Sequence, residues 1–254
     1  MELTADQALN IAVRILTKHG MSEEYARMVG DHLVDAAMCG YEFASLPRLF
    51  AIVEHLKEKP APAPIRIVRE DARSALIDGG DHIGYVVSVI AIDKAIEIAR
   101  KSGIAVVGAN NTWFSGRLAY YVERAARQGL VALHSTNTTA RVAPYGGIDR
   151  ILGTNPLAFA FPCRGEPLIV DIGTAATTWG EVLLRQKTGE LLPEGWAVNA
   201  DGNPTRDPTA ALEGAFLPWG GHRGFGLSLV AQIFGILAGS KVVIDGSSNY
   251  GFFF

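Results

Sequence analysis

An α/β fold preceded by a helical N-terminal region is predicted from three observations. Residues 4–40 hold two capped stretches whose apolar residues recur at helical spacing. From residue 65 onward, short β-branched runs alternate with helical periods, the pattern that builds a sheet flanked by helices. Between them, Pro60, Pro62 and Pro64 force an extended connection, which sets the expected boundary between regions 1–60 and 61–254.

Each element follows from local chemistry. Thr4 with Gln7 forms a capping box, and Leu9, Ala12, Val13 and Leu16 keep one apolar face until Gly20 stops the run. Ser22 opens a second helix whose Glu23 and Glu24 lie at its positive end, and Gly40 closes it. Residues 46–56 form a third helix with Arg48 near its start. Strands are expected at 65–68 and 74–77, the latter closed by Asp78-Gly79-Gly80. A helix over 84–101 ends at Gly103, a strand follows at 104–107, a helix at 117–127 ends at Gly129, and a strand lies at 130–133. Two strands between 158 and 171 flank a turn at 162–167, a turn-rich loop covers 191–204, and an apolar helix spans 224–237. No repeat or low-complexity tract interrupts the order.

With 254 residues, 48% of them hydrophobic, the chain can bury a substantial core. Its net charge of −3, with basic residues scattered among acidic ones, offers no stripe for nucleic-acid phosphates, and nucleic acid is not an expected partner. Cys39 and Cys163 are far apart and in no metal-ligand spacing, so they read as reduced thiols. The apolar run 227–237 is broken by Gln232 and Gly235 and falls well short of the roughly 20 residues that span a bilayer. The acidic start, Met1 to Asp6, reads as a helix opening rather than a signal peptide, so a cytoplasmic protein is expected.

Several residues stand out as chemistry-bearing. No Gly-x-Gly-x-x-Gly joins a strand to a helix, so a bound dinucleotide would need other machinery. Gly220-Gly221-His222-Arg223-Gly224 feeds directly into a helix, gathering free N–H groups, the positive helix end and a guanidinium; it reads as an anion site or as a tight packing turn. Asp171 ends an apolar strand and either contacts a ribose or caps the next turn. Arg48 is either a two-pronged carboxylate binder or a solvated helix residue. Thr154 and Asn155 precede Pro156, which keeps the backbone extended and lets their side chains face a ligand or form a plain turn. His19, His55 and His82 read as surface or cap residues, whereas His134 ends a core strand.

Six pieces in order carry a resemblance: Gln128-Gly129-Leu130, Thr136-Asn137-Thr138, Val142-Ala143-Pro144-Tyr145-Gly146-Gly147, Gly153-Thr154-Asn155-Pro156-Leu157-Ala158-Phe159, Leu192-Pro193-Glu194-Gly195-Trp196 and Gly220-Gly221-His222-Arg223-Gly224. On them the chain resembles the type 2 malate/L-lactate dehydrogenase family. The resemblance implies a nicotinamide-binding fold unrelated to the Rossmann domain, NADH or NADPH as cofactor, and a homodimer with its site near the subunit interface. It implies cofactor contacts at His222, Arg223 and Gly224, where the family reads Gly-Gly-His-Lys-Gly. Its Asp-x-Ala-Thr-Ser loop falls on Asp171, Gly173, Thr174 and Ala175, with alanine in place of the usual serine. Arg48 keeps the family's arginine. The family's Ser-His-Gly-x-x-Arg and Asn-x-x-His-Phe-Gly, however, correspond to Phe43-Ala44-Ser45-Leu46-Pro47-Arg48 and Asn110-Asn111-Thr112-Trp113-Phe114-Ser115, so Ala44 and Trp113 replace both histidines. Members also run longer around the 250–254 segment, and the abrupt joint across 241–249 points to omitted segments.

These departures shape the expected chemistry. Reducing a ketone needs a proton on oxygen as hydride arrives, and a positioned acid contributes about 10²–10⁴-fold. A protonated imine needs no such donor. The expected activity is therefore NAD(P)H-dependent reduction of a cyclic 2-imino or a 2-oxo carboxylate. Arg48 would hold the carboxylate, Thr154 and Asn155 would border the pocket, and Phe43, Ala44 and Trp113 would make its wall apolar. The alternatives are a pseudoenzyme that binds nicotinamide or a metabolite, and an enzyme of another chemistry on the same scaffold, with Tyr41, Glu42 or His134 as a relocated proton group.

Overall fold

In a computed structural model, residues 3–59 and 61–254 are described; Pro60, and the Met1 and Glu2 of the expected helix start, lie outside them. Helices α1 (Ala5–Lys18), α2 (Glu23–Met38) and α3 (Arg48–Glu58) open the chain. The Thr4/Gln7 capping box forms in both directions, and Ser22 caps α2 through the Tyr25 N–H. Strands β1 (Arg66–Glu70) and β2 (Ser74–Ile83), helix α4 (Gly84–Ser102), β3 (Val106–Trp113), α5 (Ala119–Ala126) and β4 (Ala132–Thr136) follow. Next come β5 (Leu157–Phe161), β6 (Leu168–Ile172), α6 (Trp179–Thr188), β7 (Ala197–Val198), β8 (Pro204–Thr205), α7 (Pro208–Glu213), β9 (Ala215–Phe216), α8 (His222–Leu237) and β10 (Phe252–Phe253). The main sheet runs β1-β2-β3-β10-β4-β5-β6, with β2 and β3 parallel and every other pair antiparallel; a small sheet runs β8-β7-β9.

Five elements differ from the sequence expectation. Strand β2 does not stop at Asp78-Gly79-Gly80 but continues to Ile83 through a register shift. A side chain on Gly79 would come within 2.8 Å of the Asn110 carbonyl, so glycine is what lets β3 lie alongside. Strand β3 correspondingly runs to Trp113, its polar stretch satisfied because Asn110 donates to the Ala238 carbonyl and Asn111 to Asp78. Helices α6 and α7 occupy segments left unassigned on either side of the expected loop; Thr178 caps α6 and left-handed Gly189 ends it. Strand β10 inserts between β3 and β4, pairing Phe252 with both Ala109 and Thr136.

Two large cores meet at β2 and β3. One joins α4 to the sheet through Ile77, Val87, Ile92, Val107 and Phe252; the other joins α1, α2 and α3 to Ile83, Tyr85, Val86 and Trp113. The N-terminal helices thus pack directly on the α/β region rather than hanging from a linker. Helix α8 lies against β10, where a side chain on Gly251 would overlap the backbone of Gly235 and Phe234 stacks on Phe253 at 4.4 Å. Among the described residues no helix is long and apolar enough to cross a membrane.

Candidate active site

The segment Pro218-Trp219-Gly220-Gly221 turns sharply into α8, with φ of 61° and 66° at the two glycines, values that a residue without Cβ adopts freely. A Cβ on Gly224 would overlap the Trp219 carbonyl, so the first turn of α8 sits directly on this bend. Helix α8 has no side-chain N-cap, which leaves its first N–H groups for water or a ligand. Beside it opens a groove of about 490 Å³ whose lining includes Tyr145, Ala176, Trp196, Trp219, Gly220 and Gly221. Tyr145 and Trp219 are 60% and 55% exposed, so their ring faces are free to stack. His222 and Arg223 stand exposed at the helix start, with Tyr145 edge-on to His222 at 6.0 Å.

The residues singled out in the neighbouring loops are mostly tied up in building them. Asn155 is fully buried; its Oδ1 accepts from the Thr138 N–H at 3.2 Å, and its amide donates to Gln232 at 2.7 Å and to Ser228 at 3.2 Å. Thr174 donates through its hydroxyl to the carbonyls of Thr154 and Asn155, and its own carbonyl accepts from the Trp219 N–H. Ala175 bridges to Pro218, and Gly173 is exposed. Asp171 accepts the Ala119 N–H at 2.8 Å and so seats the start of α5, a contact with an earlier helix rather than a cap on the turn that follows it. Burial pushes its carboxyl above the ordinary range, against the pull of that N–H and of Arg117.

On the other side, α3 presents Arg48 between two rings: its guanidinium lies 4.7 Å from the centroid of Phe43 and 4.8 Å from that of Phe114. Arg48 Nε is buried, and the Tyr85 hydroxyl, also buried, faces the Arg48 guanidinium. The expected apolar wall is only partly there. Phe43 is 36% exposed and lies against Gly180, whereas Trp113 is 2% exposed, stacks on His55 at 3.6 Å and donates its indole N–H to the Asp81 carbonyl. Trp113 is therefore a core residue, and Ala44 is half-buried. His55 is no surface residue, since its Nε2 is buried and unpartnered.

His134 likewise moves out of the expected site. Its ring is fully buried, stacked on Phe254 at 3.9 Å, with Nδ1 3.1 Å from the Phe253 carbonyl, and burial lowers its pKa to about 3. A histidine so placed stays neutral and out of reach of solvent, so it is not a proton donor in this arrangement. The structure instead adds residues that sequence reasoning passed over: Tyr145, Trp196 and Trp219 around the groove, and Arg141 stacked on Trp179. A tryptophan directly before a glycine pair and an arginine inside the apolar run 140–143 were the available signals.

A groove of aromatic faces at an uncapped helix start, read with the relatives of the chain, defines an oxidoreductase of the NAD(P)-dependent kind. The profile of the family described as malate/L-lactate dehydrogenase matches residues 3–251. Malate dehydrogenase from Pyrococcus abyssi is 38% identical over 250 residues, covering 94% of this chain and 69% of the relative. A delta(1)-pyrroline-2-carboxylate/delta(1)-piperideine-2-carboxylate reductase from Pseudomonas aeruginosa is 34% identical, covering 92% of this chain and 71% of the relative. The solved sulfolactate dehydrogenase of Methanocaldococcus jannaschii superposes with a TM-score of 0.89 at 34% identity, over 100% of this chain and 76% of that one. The chain belongs to the malate/L-lactate dehydrogenase family.

Proposed function

We propose that the chain reduces a 2-oxo or, by preference, a cyclic 2-imino carboxylate, with NADH or NADPH as hydride source. The observation that carries this reading is the groove walled by Tyr145, Trp196 and Trp219 at the uncapped start of α8. Its residues fit a dinucleotide: ring faces for a base, free N–H groups and the positive helix end for phosphate, and Arg223 and His222 beside them. The cofactor supplies the hydride when bound. Gly173 and Ala175 would leave room for its nicotinamide, and Thr154, Asn155, Thr174 and Gly224 would hold the surrounding loops.

Arg48 would orient the substrate by its carboxylate, with Phe43 and Phe114 shielding the pair from water. The imine preference is supported by the reductase relative and by the chemistry of the replaced residues, since a protonated imine is already electrophilic. The second reading, a protein that binds nicotinamide or a metabolite without turnover, rests on Ala44 and Trp113 standing where the family has histidines.

The test has two parts. Arg223→Ala is expected to weaken NADPH or NADH binding by about 1.5–3 kcal/mol, the range for a charge-assisted contact, measured by tryptophan fluorescence titration. Steady-state rates with piperideine-2-carboxylate are expected to exceed those with pyruvate and oxaloacetate. Equal or faster turnover of the oxo acids overturns the imine preference, and cofactor binding without turnover of either class supports the second reading. Unchanged cofactor affinity in the variant removes the groove assignment.

A further inference from the structure

We propose that Tyr85 completes the carboxylate site: its oxygen accepts from the Arg48 guanidinium, and its own O–H donates to the substrate carboxylate that the arginine holds. The inference deepens the reading above and rests on its assignment of Arg48 to the substrate carboxylate.

Backbone packing brings Tyr85, in the first turn of α4, to the side of Arg48. A Cβ on Gly84 would overlap the Phe114 carbonyl, so the start of α4 rests on Phe114, whose ring lies 4.8 Å from the Arg48 guanidinium. The Tyr85 side chain is 1% exposed and shares one core with Leu49 and Ile52 of α3, the helix that carries Arg48. Its ring meets His32 edge-on at 4.6 Å, and a Cβ on Gly116 would overlap both rings, so the loop after β3 closes over them. His32 is itself anchored, because its Nε2 accepts the Arg117 N–H at 2.9 Å. The tyrosine ring is thus held on several sides, with its hydroxyl facing the guanidinium.

The polar groups of this contact leave one proton over. A guanidinium has donors only, so toward Arg48 the phenol oxygen accepts and its proton is directed elsewhere. Among the described residues no acceptor takes that proton, and the Nδ1 of the adjoining His32 makes no hydrogen bond. Burial raises the pKa of the hydroxyl, against the charge of Arg48, so it keeps its proton at neutral pH.

A buried O–H without an acceptor is a cost that a bound carboxylate relieves. With two oxygens, one carboxylate accepts from the guanidinium and from the phenol at once. Phe43 and Phe114, flanking the arginine, keep water from competing for these donors. A carboxamide has a single acceptor oxygen and no charge, so it would use the pair of donors poorly.

Isothermal titration with pyrrole-2-carboxylate, a flat ring acid, and pyrrole-2-carboxamide, its neutral counterpart, tests the proposal on the full chain as wild type, Tyr85→Phe, Tyr85→Met and Arg48→Gln. Tyr85→Phe keeps the ring and deletes only the hydroxyl. It is expected to weaken the acid about tenfold and the amide less than about twofold. Tyr85→Met fills the core with a flexible apolar chain and is expected to show the same selective loss, so either variant decides the question if the other does not fold. Arg48→Gln is expected to weaken the acid at least as much. Unchanged acid affinity in the Tyr85 variants overturns the role of the hydroxyl, as do equal losses for acid and amide, the outcome of a merely structural tyrosine. The two readings fail separately: selective loss in Arg48→Gln with none in the Tyr85 variants leaves the arginine in place, whereas no loss in Arg48→Gln removes its assignment and the proposal with it.

Discussion

Asn155 shows how one side chain fixes several loops at once. It sits at φ 38°, an unusual value that asparagine tolerates better than most residues, and its amide joins Thr138 on one side to Ser228 and Gln232 of α8 on the other. Removing it leaves a buried N–H at Thr138 and a buried carbonyl at Gln232 without partners. Asn155→Ala is therefore expected to cost about 2–4 kcal/mol, read as a lower urea midpoint at unchanged slope. An unchanged midpoint would mean that water replaces the amide and that the residue is free for a ligand role. Arg48 is the opposite case: among the described residues no carboxylate pairs with it, and its guanidinium lies between the Phe43 and Phe114 rings.

At the scale of elements, α8 serves two faces. Its buried side carries Gly224, Ser228, Ala231, Gln232 and Gly235, the small and polar residues that let it lie on β10 and hold Asn155. Its outer side repeats Leu229, Val230, Ile233 and Leu237 at helical spacing, at 40%, 42%, 53% and 67% exposure. A contiguous apolar stripe on a helix that water would otherwise cover marks an association surface. We propose that it supports the homodimer implied by the family resemblance. Sedimentation equilibrium is expected to find a dimer for the wild type and a shift toward monomer for Ile233→Glu, a substitution outside the groove lining. A monomeric wild type would remove the proposal, as would an Ile233→Glu protein that remains a dimer.

For the whole molecule, two buried histidines are expected to weaken the fold in acid. Burial lowers His32 and His134 to about 3 from 6.5, with Arg117 adding to the effect at His32. Both are depressed cations, so the unfolded chain binds protons that the folded chain refuses as the pH falls from about 6.5 to about 3. Stability is lost across that window by an amount on the order of 4 kcal/mol per histidine. Asp171 works the other way, because a carboxyl raised by burial favours the folded state once protonated. The expected outcome is a thermal midpoint that is flat above pH 7 and declines below 6.5, with a shallower decline in His134→Phe, whose ring can occupy the stack on Phe254. An equally steep decline in that variant would place the acid sensitivity elsewhere.

What the sequence determined by itself was whatever local chemistry specifies. The Thr4/Gln7 capping box and the Ser22 cap set the starts of α1 and α2, and Gly103 the end of α4, because the groups that satisfy a helix end lie within four residues of it. The glycine run at 220–224 and the arginine at 48 were legible for the same reason, as motifs whose meaning survives without neighbours. The tertiary structure decided the rest. Strand β10 depends on pairing with residues more than 100 positions earlier, and the polar end of β3 is a strand only because β2 and Ala238 satisfy its amides. Trp113 and His134 read as site residues by position but are core residues by packing. The contact of Phe43 with Gly180 and the stack of Arg141 on Trp179 likewise arise only in the fold, because a site is built from residues that distance along the chain keeps apart.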